Sequence, residues 1–365
     1  MRSTTCVIDA AINHLPSTDY TPIMVFPEQG PWQQELKNNG VTTHIRPFSV
    51  PEKSKPFQFL ANFLYWVRLI KLEKISLIHL NEHDNFPMIR HAACYCKVPV
   101  IVGVRFVLEG GYARWAFGGK YKPAKLLFTS QDQINRSITE IPRGIPEEDI
   151  ILFGNGRDLK QFTQVESSAE KIRQNWEVEP KHFVLGTASV IRRRKLLEDF
   201  ILLVGKLKDK GMPVKGIIAG GGRFADPVYF QELEQLIVKE GLSDSVKMIG
   251  NLDDIAPFYQ GIDLFVSTSE LETFGMSVCE AMAFAKPVIG YSGGSVAEVL
   301  GDKSCIVDVK DFSALVDLAA KFVTDPKLVK DKGNKGYIRA FEHFDAPMLA
   351  QRLDQIYKQV FNDNK

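Results

Sequence analysis

Ser267-Thr-Ser-Glu-Leu-Glu-Thr-Phe-Gly-Met-Ser-Val-Cys-Glu-Ala-Met-Ala283, continued by Lys286-Pro-Val-Ile-Gly-Tyr-Ser-Gly-Gly294, decides how this chain is read. The apolar run Leu264–Val266 in front of it is a strand that ends at Val266. A polar loop carrying Glu270 and Glu272 follows. Gly275 opens a helix that runs to Ala283, with Glu280 about one and a half turns inside it. Pro287–Gly290 is the next strand. Strand, loop, helix and strand in that order make one unit of a parallel sheet covered by helices.

The same alternation extends in both directions. Upstream in the second half, strands are predicted at Phe183–Ala188, Gly216–Ala219 and Val246–Ile249. Helices are predicted at Leu196–Lys208, Tyr229–Glu240 and Ile255–Tyr259. Downstream come helix Val296–Leu300, strand Ser304–Val307 and helices Phe312–Thr324, Pro326–Phe341 and Ala346–Val360. The first half begins with a helix from Ser3 to Leu15, capped by Ser3 or Thr4 and ended by Pro16. It then alternates strands Pro22–Phe26, Val41–Ile45, Leu77–Leu80, Val100–Val104 and Leu126–Phe128 with helices Trp32–Asn38, Phe57–Lys74 and Pro87–Cys96. The polar stretch Gln164–Lys171 reads as the linker. The expectation is α/β: two Rossmann-like domains facing each other across a cleft, 1–164 and 165–344, with 345–365 packing back on the first. Ligands of such sheets sit beyond the carboxyl ends of the strands.

The 365 residues carry 45 Lys+Arg against 44 Asp+Glu, 45% hydrophobic and 24% charged side chains. A net charge of +1 gives no ground for a nucleic-acid partner. Residues 1–165 carry 19 basic and 15 acidic side chains, a local excess of four positive charges. Five scattered cysteines, Cys6, Cys94, Cys96, Cys279 and Cys305, form neither a disulfide framework nor a metal-ligand spacing. A reducing cytoplasm is the simpler reading, and no metal is expected. The longest apolar run, Phe57 to Ile70, is shorter than the roughly 20 residues a membrane span needs. It includes Arg68, and core outweighs membrane anchor as its reading.

In the deciding stretch, the free N–H groups of a helix start suit a diphosphate. Gly275 lets backbone approach closely. An acidic side chain on the loop suits sugar hydroxyls. The plain alternative is that Glu270 and Glu272 cap the helix and Glu280 lies on the surface. Glu272-x7-Glu280 resembles the signature of the retaining, metal-independent glycosyltransferases of family 4, which have the GT-B fold. Phe153-Gly-Asn-Gly-Arg-Asp-Leu-Lys-Gln-Phe162 resembles that family's Asn-Gly-Val-Asp…Phe stretch. Gly216-Ile-Ile-Ala-Gly-Gly-Gly222 resembles its second-domain strand and glycine turn. Arg339–Phe344 and the helix after it resemble its closing segment, whose helix crosses back onto the first domain.

The resemblance implies roles. Glu272 binds donor-sugar hydroxyls, beside the backbone of Phe274, Gly275 and Met276. Glu280 holds the ribose diol, and Gly222 and Met248 belong to the same donor pocket. Arg194 and Lys195 match a basic pair on the diphosphate, although Leu196 replaces the glycine that normally follows and Ser189 an earlier arginine. In "VPVIVGVRFVLEGG" the place of a histidine facing the reacting sugar falls on Arg105, which is no base. Its alternative is an ion pair with Glu109 or Glu82. His79, Asn81, Glu82 and Glu109 are acceptor-side candidates, and the loop with Tyr112, Arg114 and Trp115 is a candidate acceptor rim.

The family begins with a strand and a glycine-rich loop, whereas this chain begins in what matches the first helix. The first domain is therefore expected to lack its usual first strand. Either the coding start lies downstream of the true one, or the loop and some activity have been lost.

The function expected is transfer of a sugar from a nucleoside-diphosphate sugar to a glycan or lipid-linked acceptor, in cell-surface polysaccharide or lipopolysaccharide synthesis. The sugar nucleotide is co-substrate, and no separate cofactor is expected. The location expected is cytoplasmic, with peripheral contact to the inner membrane face. Rival readings are a nucleotide-sugar epimerase or hydrolase of the same fold and a non-catalytic sugar-nucleotide-binding protein.

Overall fold

The computed structural model describes residues 6–48, 55–221 and 225–363. The contacts form two units. One is Asn155–Asp345; the other joins the chain up to Gly154 with the chain from Ala346.

The first unit holds β1 (Ile23–Phe26) and β2 (Thr42–Ile45) as a parallel pair. A separate sheet has the order β3-β4-β5-β6, from Ile78–Leu80, Val100–Val104, Lys125–Phe128 and Ile150–Leu152, all parallel. Every residue of β4 and β5 is buried, as continuous apolar runs in covered parallel sheets are. β6 has only three residues, too short for a sequence signal. Among the described residues no strand precedes Ile23, and β1–β2 is not paired with the four-stranded sheet. That is where a doubly wound order would set a first strand.

The opening helix is Cys6–His14; its candidate caps Ser3 and Thr4 lie outside the described residues. It shares a core with Leu349, Leu353, Tyr357 and Val360 of helix Ala346–Asp363, over Ile101, Leu127 and Phe153. The last helix thus packs with the first unit, as expected. Helix Pro56–Leu72 is core on one face only. Asn62, Trp66 and Ile70 are buried, whereas Phe57, Leu60 and Leu64 are exposed.

The second unit holds one parallel sheet, order β12-β11-β10-β7-β8-β9. Its strands are β7 (Phe183–Ala188), β8 (Val214–Ala219), β9 (Val246–Gly250), β10 (Leu264–Ser267), β11 (Val288–Tyr291) and β12 (Ile306–Val307). Helices Leu197–Asp209, Met276–Ala283 and Phe312–Thr324 bury apolar faces in the core around it. Within the stretch read as linker, Ser168 caps helix Ala169–Asn175 by accepting from the Lys171 N–H. Its short polar sequence hid it, since only Ile172 is buried.

The sheet order reverses between β7 and β10, which are neighbours although two strands separate them in sequence. Loops after two such strands diverge and leave a crevice at their carboxyl ends.

Candidate donor-binding site

The loops that diverge at this switch point carry the residues singled out by sequence. After β7, a single helical turn Arg193–Lys195 ends in Leu196, whose φ of 45° is left-handed. The turn buries Lys195 and leaves Arg194 exposed. After β10, residues Thr268–Phe274 lead to Gly275, with φ of 87°, and helix Met276–Ala283. The two loops are tied together. Thr268 Oγ1 donates to the Lys195 carbonyl at 2.8 Å, and the Glu270 N–H to that of Arg194 at 2.9 Å. Arg194 Nη1 donates to the Leu271 carbonyl at 3.0 Å.

Lys195 Nζ donates to Glu272 Oε1 in a short ion pair, and Ser269 Oγ donates to the same oxygen at 2.8 Å. Burial alone would push the Glu272 carboxyl up. The charge and hydrogen bond of Lys195 outweigh it, with Ser269 adding, and hold it below the usual carboxylate range. The Glu272 main chain is fixed as firmly. Its carbonyl accepts from the Ser295 N–H at 3.0 Å, and it bridges in parallel to Gly294. A Cβ on Gly293 would stand 2.0 Å from the Ser269 carbonyl, and one on Gly294 2.2 Å from that of Glu272. The Gly-Gly pair is what lets this strand end lie against the loop.

Glu280 lies in the helix behind, buried. Its Oε1 accepts from Arg157 Nη1 at 2.7 Å and its Oε2 from the Tyr259 hydroxyl at 2.8 Å. Here desolvation wins, and the carboxyl sits above its usual range despite Arg157 and Tyr259. The two glutamates of the motif therefore stand in opposite electrostatic settings. The surface reading of Glu280 is set aside by its burial.

The remaining residues are placed less centrally. Phe274 is buried edge-on to Phe344, so only its backbone belongs to the site. Met276 and Ser277 open the helix, whose N-cap Gly275 supplies no side-chain acceptor, and the first N–H groups of a helix have no intrahelical partner. Met248 lies on the sheet's outer strand β9, packed on the core. Gly222 lies outside the described residues. Arg193 forks onto Glu232 with two bonds of 2.8 Å, so of Arg193 and Arg194 it is Arg194 that meets the loop of Glu272. Ser189, at the end of β7, has a buried Oγ with no partner among the described residues.

Sequence reading missed Arg157, Tyr259 and Ser269. Arg157 stood in the quoted stretch Phe153–Phe162, at the place of the family's valine, and a charge entering an apolar position was the signal.

The other candidates belong to the first unit. Arg105 is buried and donates from Nε to the Asn81 carbonyl at 3.0 Å and from Nη2 to Asn81 Oδ1 at 2.9 Å. These bonds tie Arg105 to Asn81, and its charge also acts on the Glu82 carboxyl. Burial, then Asp84, raises the Glu82 carboxyl, while Glu109 is exposed on its loop. His79 Nδ1 lies 2.6 Å from the Tyr357 hydroxyl, and burial followed by Arg105 pushes its pKa down to about 3. His79 is thus a neutral tie to the last helix. Tyr112–Phe117 is a helix rather than a loop, and Tyr112 stacks edge-on to buried His83.

Residues 168–339 match the model of the glycosyl transferases group 1 family. The chain is 24% identical over 267 residues to the lipopolysaccharide core biosynthesis mannosyltransferase LpcC of Rhizobium leguminosarum bv. viciae, covering 67% of this chain and 73% of the relative. It is 26% identical over 364 residues to the N,N'-diacetylbacillosaminyl-diphospho-undecaprenol alpha-1,3-N-acetylgalactosaminyltransferase of Campylobacter jejuni, covering 93% and 92%. Its fold is similar to that of HepE from Anabaena, solved in complex with UDP, with a TM-score of 0.82, 20% identity and coverage of 98% and 96%. The chain is thus a glycosyltransferase of the GT-B fold, with two Rossmann-like domains, whose residues 168–339 are similar to the glycosyl transferases group 1 family.

Proposed function

We propose that this glycosyltransferase moves a sugar from a nucleoside-diphosphate sugar to a glycan or lipid-linked acceptor in cell-surface polysaccharide or lipopolysaccharide assembly. Transfer retains the anomeric configuration and needs no metal. The observation that carries the reading is the meeting of Lys195, Glu272 and the start of helix Met276–Ala283 at one strand-end crevice.

In this reading Lys195 and Arg194 hold the diphosphate, with the N–H groups of Gly275 and Met276 beside it. The glycosidic bond breaks with its electron pair going to the phosphate oxygen. Two cations and a helix start then stabilise the charge that grows there. Glu272, kept ionised, accepts from donor-sugar hydroxyls, and Glu280 accepts from the ribose diol. Arg105, with Asn81, Glu82 and Glu109, faces the acceptor, whose proton leaves with the departing phosphate. The names of the Campylobacter and Rhizobium relatives support a lipid-linked or lipopolysaccharide acceptor. No helix among the described residues is long and apolar enough to cross a membrane. We place the enzyme in the cytoplasm, against the membrane.

Turnover of UDP-, GDP- and ADP-sugars tests this. Glu272→Ala and Lys195→Ala are each expected to lose about a hundredfold or more in turnover, the scale of a lost charge-stabilising donor. Wild-type turnover in both variants would overturn the site.

A further inference from the structure

Helix Pro56–Leu72 contains no acidic residue, and its only charges are Arg68 and Lys71. Phe57, Leu60, Leu64 and Leu72 are each more than half exposed, Phe57 at 87%. With Arg68 and Lys71 they recur every three or four residues, so they form one stripe along the solvent side. A surface helix normally turns polar residues to that side, and a continuous exposed apolar stripe marks an interaction surface. At its far end the stripe meets a groove between this helix and Phe86–Cys96. The floor is Ile70, Ile75 and Val98; the rim is Lys71, Lys74, Lys97 and Tyr95. Lys71 lies 5.2 Å over the Tyr95 ring. Helix Phe86–Cys96 has no acidic residue either. Among the described residues Glu73, which follows the helix, is paired with His44 at 2.9 Å.

We propose that this face docks on an anionic lipid surface, with the apolar stripe at the acyl boundary and Arg68, Lys71, Lys74 and Lys97 at headgroup phosphates. Apolar and basic residues on one face of a helix are what an interfacial helix needs. A second copy of the chain is disfavoured as occupant, because an antiparallel twofold contact centred on Leu64 would bury Arg68 and Lys71 against Leu60 and Phe57, with no acidic residue on the helix to pair them. The inference rests on the membrane placement proposed above and names the face that carries it; vesicle binding is read without substrate, so it can fail while the transfer reading stands.

Flotation of the full chain with vesicles tests it, using phosphatidylcholine alone and an equal mixture with phosphatidylglycerol. Binding is expected to the mixed vesicles only and to weaken with salt. Each cation near such a surface is worth about fivefold in partitioning, so Arg68→Gln with Lys71→Gln is expected to weaken binding roughly twentyfold. Phe57→Ser with Leu64→Ser is expected to weaken it at low salt too. All four positions are exposed and outside the donor site, so both double variants keep donor hydrolysis. The proposal is overturned if the wild type does not float with mixed vesicles, or if both double variants float as it does. It is equally overturned by a solution dimer that Phe57→Ser with Leu64→Ser converts to monomer.

Discussion

Arg157 and Glu280, 123 residues apart, meet at 2.7 Å in the second domain. The guanidinium also lies 3.7 Å from the Phe162 ring centroid. The Arg157 backbone N–H donates to the Phe344 carbonyl, and residue 157 bridges to Asp345, at the end of the unit. Arg157 therefore positions the carboxylate assigned to the ribose. Arg157→Met is expected to weaken nucleotide binding about tenfold or more, with Arg157→Lys recovering part of it.

The same variant has a pH signature. Glu280 is raised above the usual carboxylate range in the folded state, so it favours folding at low pH and that contribution is lost as pH rises through its folded value. Removing Arg157 raises it further. The stability deficit of Arg157→Met should thus be larger at pH 8 than at pH 5. Arg157 is about a third exposed, so the deficit at neutral pH is expected to be about 1–2 kcal/mol, below the scale of fully buried pairs. Thermal melts at both pH values read it.

Lys195 and Glu272 are a buried pair, 9% and 12% exposed. Removing either partner strands the other, which costs about 3 kcal/mol. Glu272 is lowered in the fold, so its contribution is present above the unfolded carboxylate value and lost as pH falls through the folded one. A cycle of Lys195→Met, Glu272→Gln and the double variant should show a double variant more stable than the sum of the singles. Urea unfolding measures it, and additive costs would mean the pair is not coupled.

His79 is neutral in the fold, with a pKa near 3 against 6.5 unperturbed. Stability from this residue is complete above about 6.5 and lost as pH falls toward 3. Tyr357→Phe removes its hydrogen bond and should cost about 1 kcal/mol without changing donor hydrolysis. His79→Gln should flatten the acid side of the melting profile.

Gly293→Ala puts a methyl group 2.0 Å from the Ser269 carbonyl, main chain that cannot swing aside. The loop bearing Glu272 must shift. Turnover is expected to fall about tenfold or more, and stability by about 1–3 kcal/mol. Unchanged kinetics would show that this loop does not position the donor.

The second sheet was legible because its buried parallel strands, such as Phe183–Ala188 and Leu264–Ser267, are mostly apolar and lie between polar loops. β6, with three residues, and helix Gln131–Ser137, which buries only Gln133 and Ser137, give no such period. The motif glutamates were legible as residues but not as opposites. Which one is lowered and which raised depends on Lys195, 77 residues from Glu272, and on the burial of Glu280. In the first domain, position at the end of a strand pointed to His79, yet the bond to Tyr357 on the last helix, 278 residues on, is invisible in local sequence.

The donor assignment of Lys195 is tested most directly by calorimetric titration of UDP, GDP and ADP into the wild type and Lys195→Ala. The expected result is saturable binding of one nucleotide by the wild type, at least about tenfold weaker in the variant, since a charged hydrogen bond to phosphate is worth about 1.5–3 kcal/mol. Equal affinity in both proteins, with the variant folded, would contradict the donor site at the β7–β10 crevice.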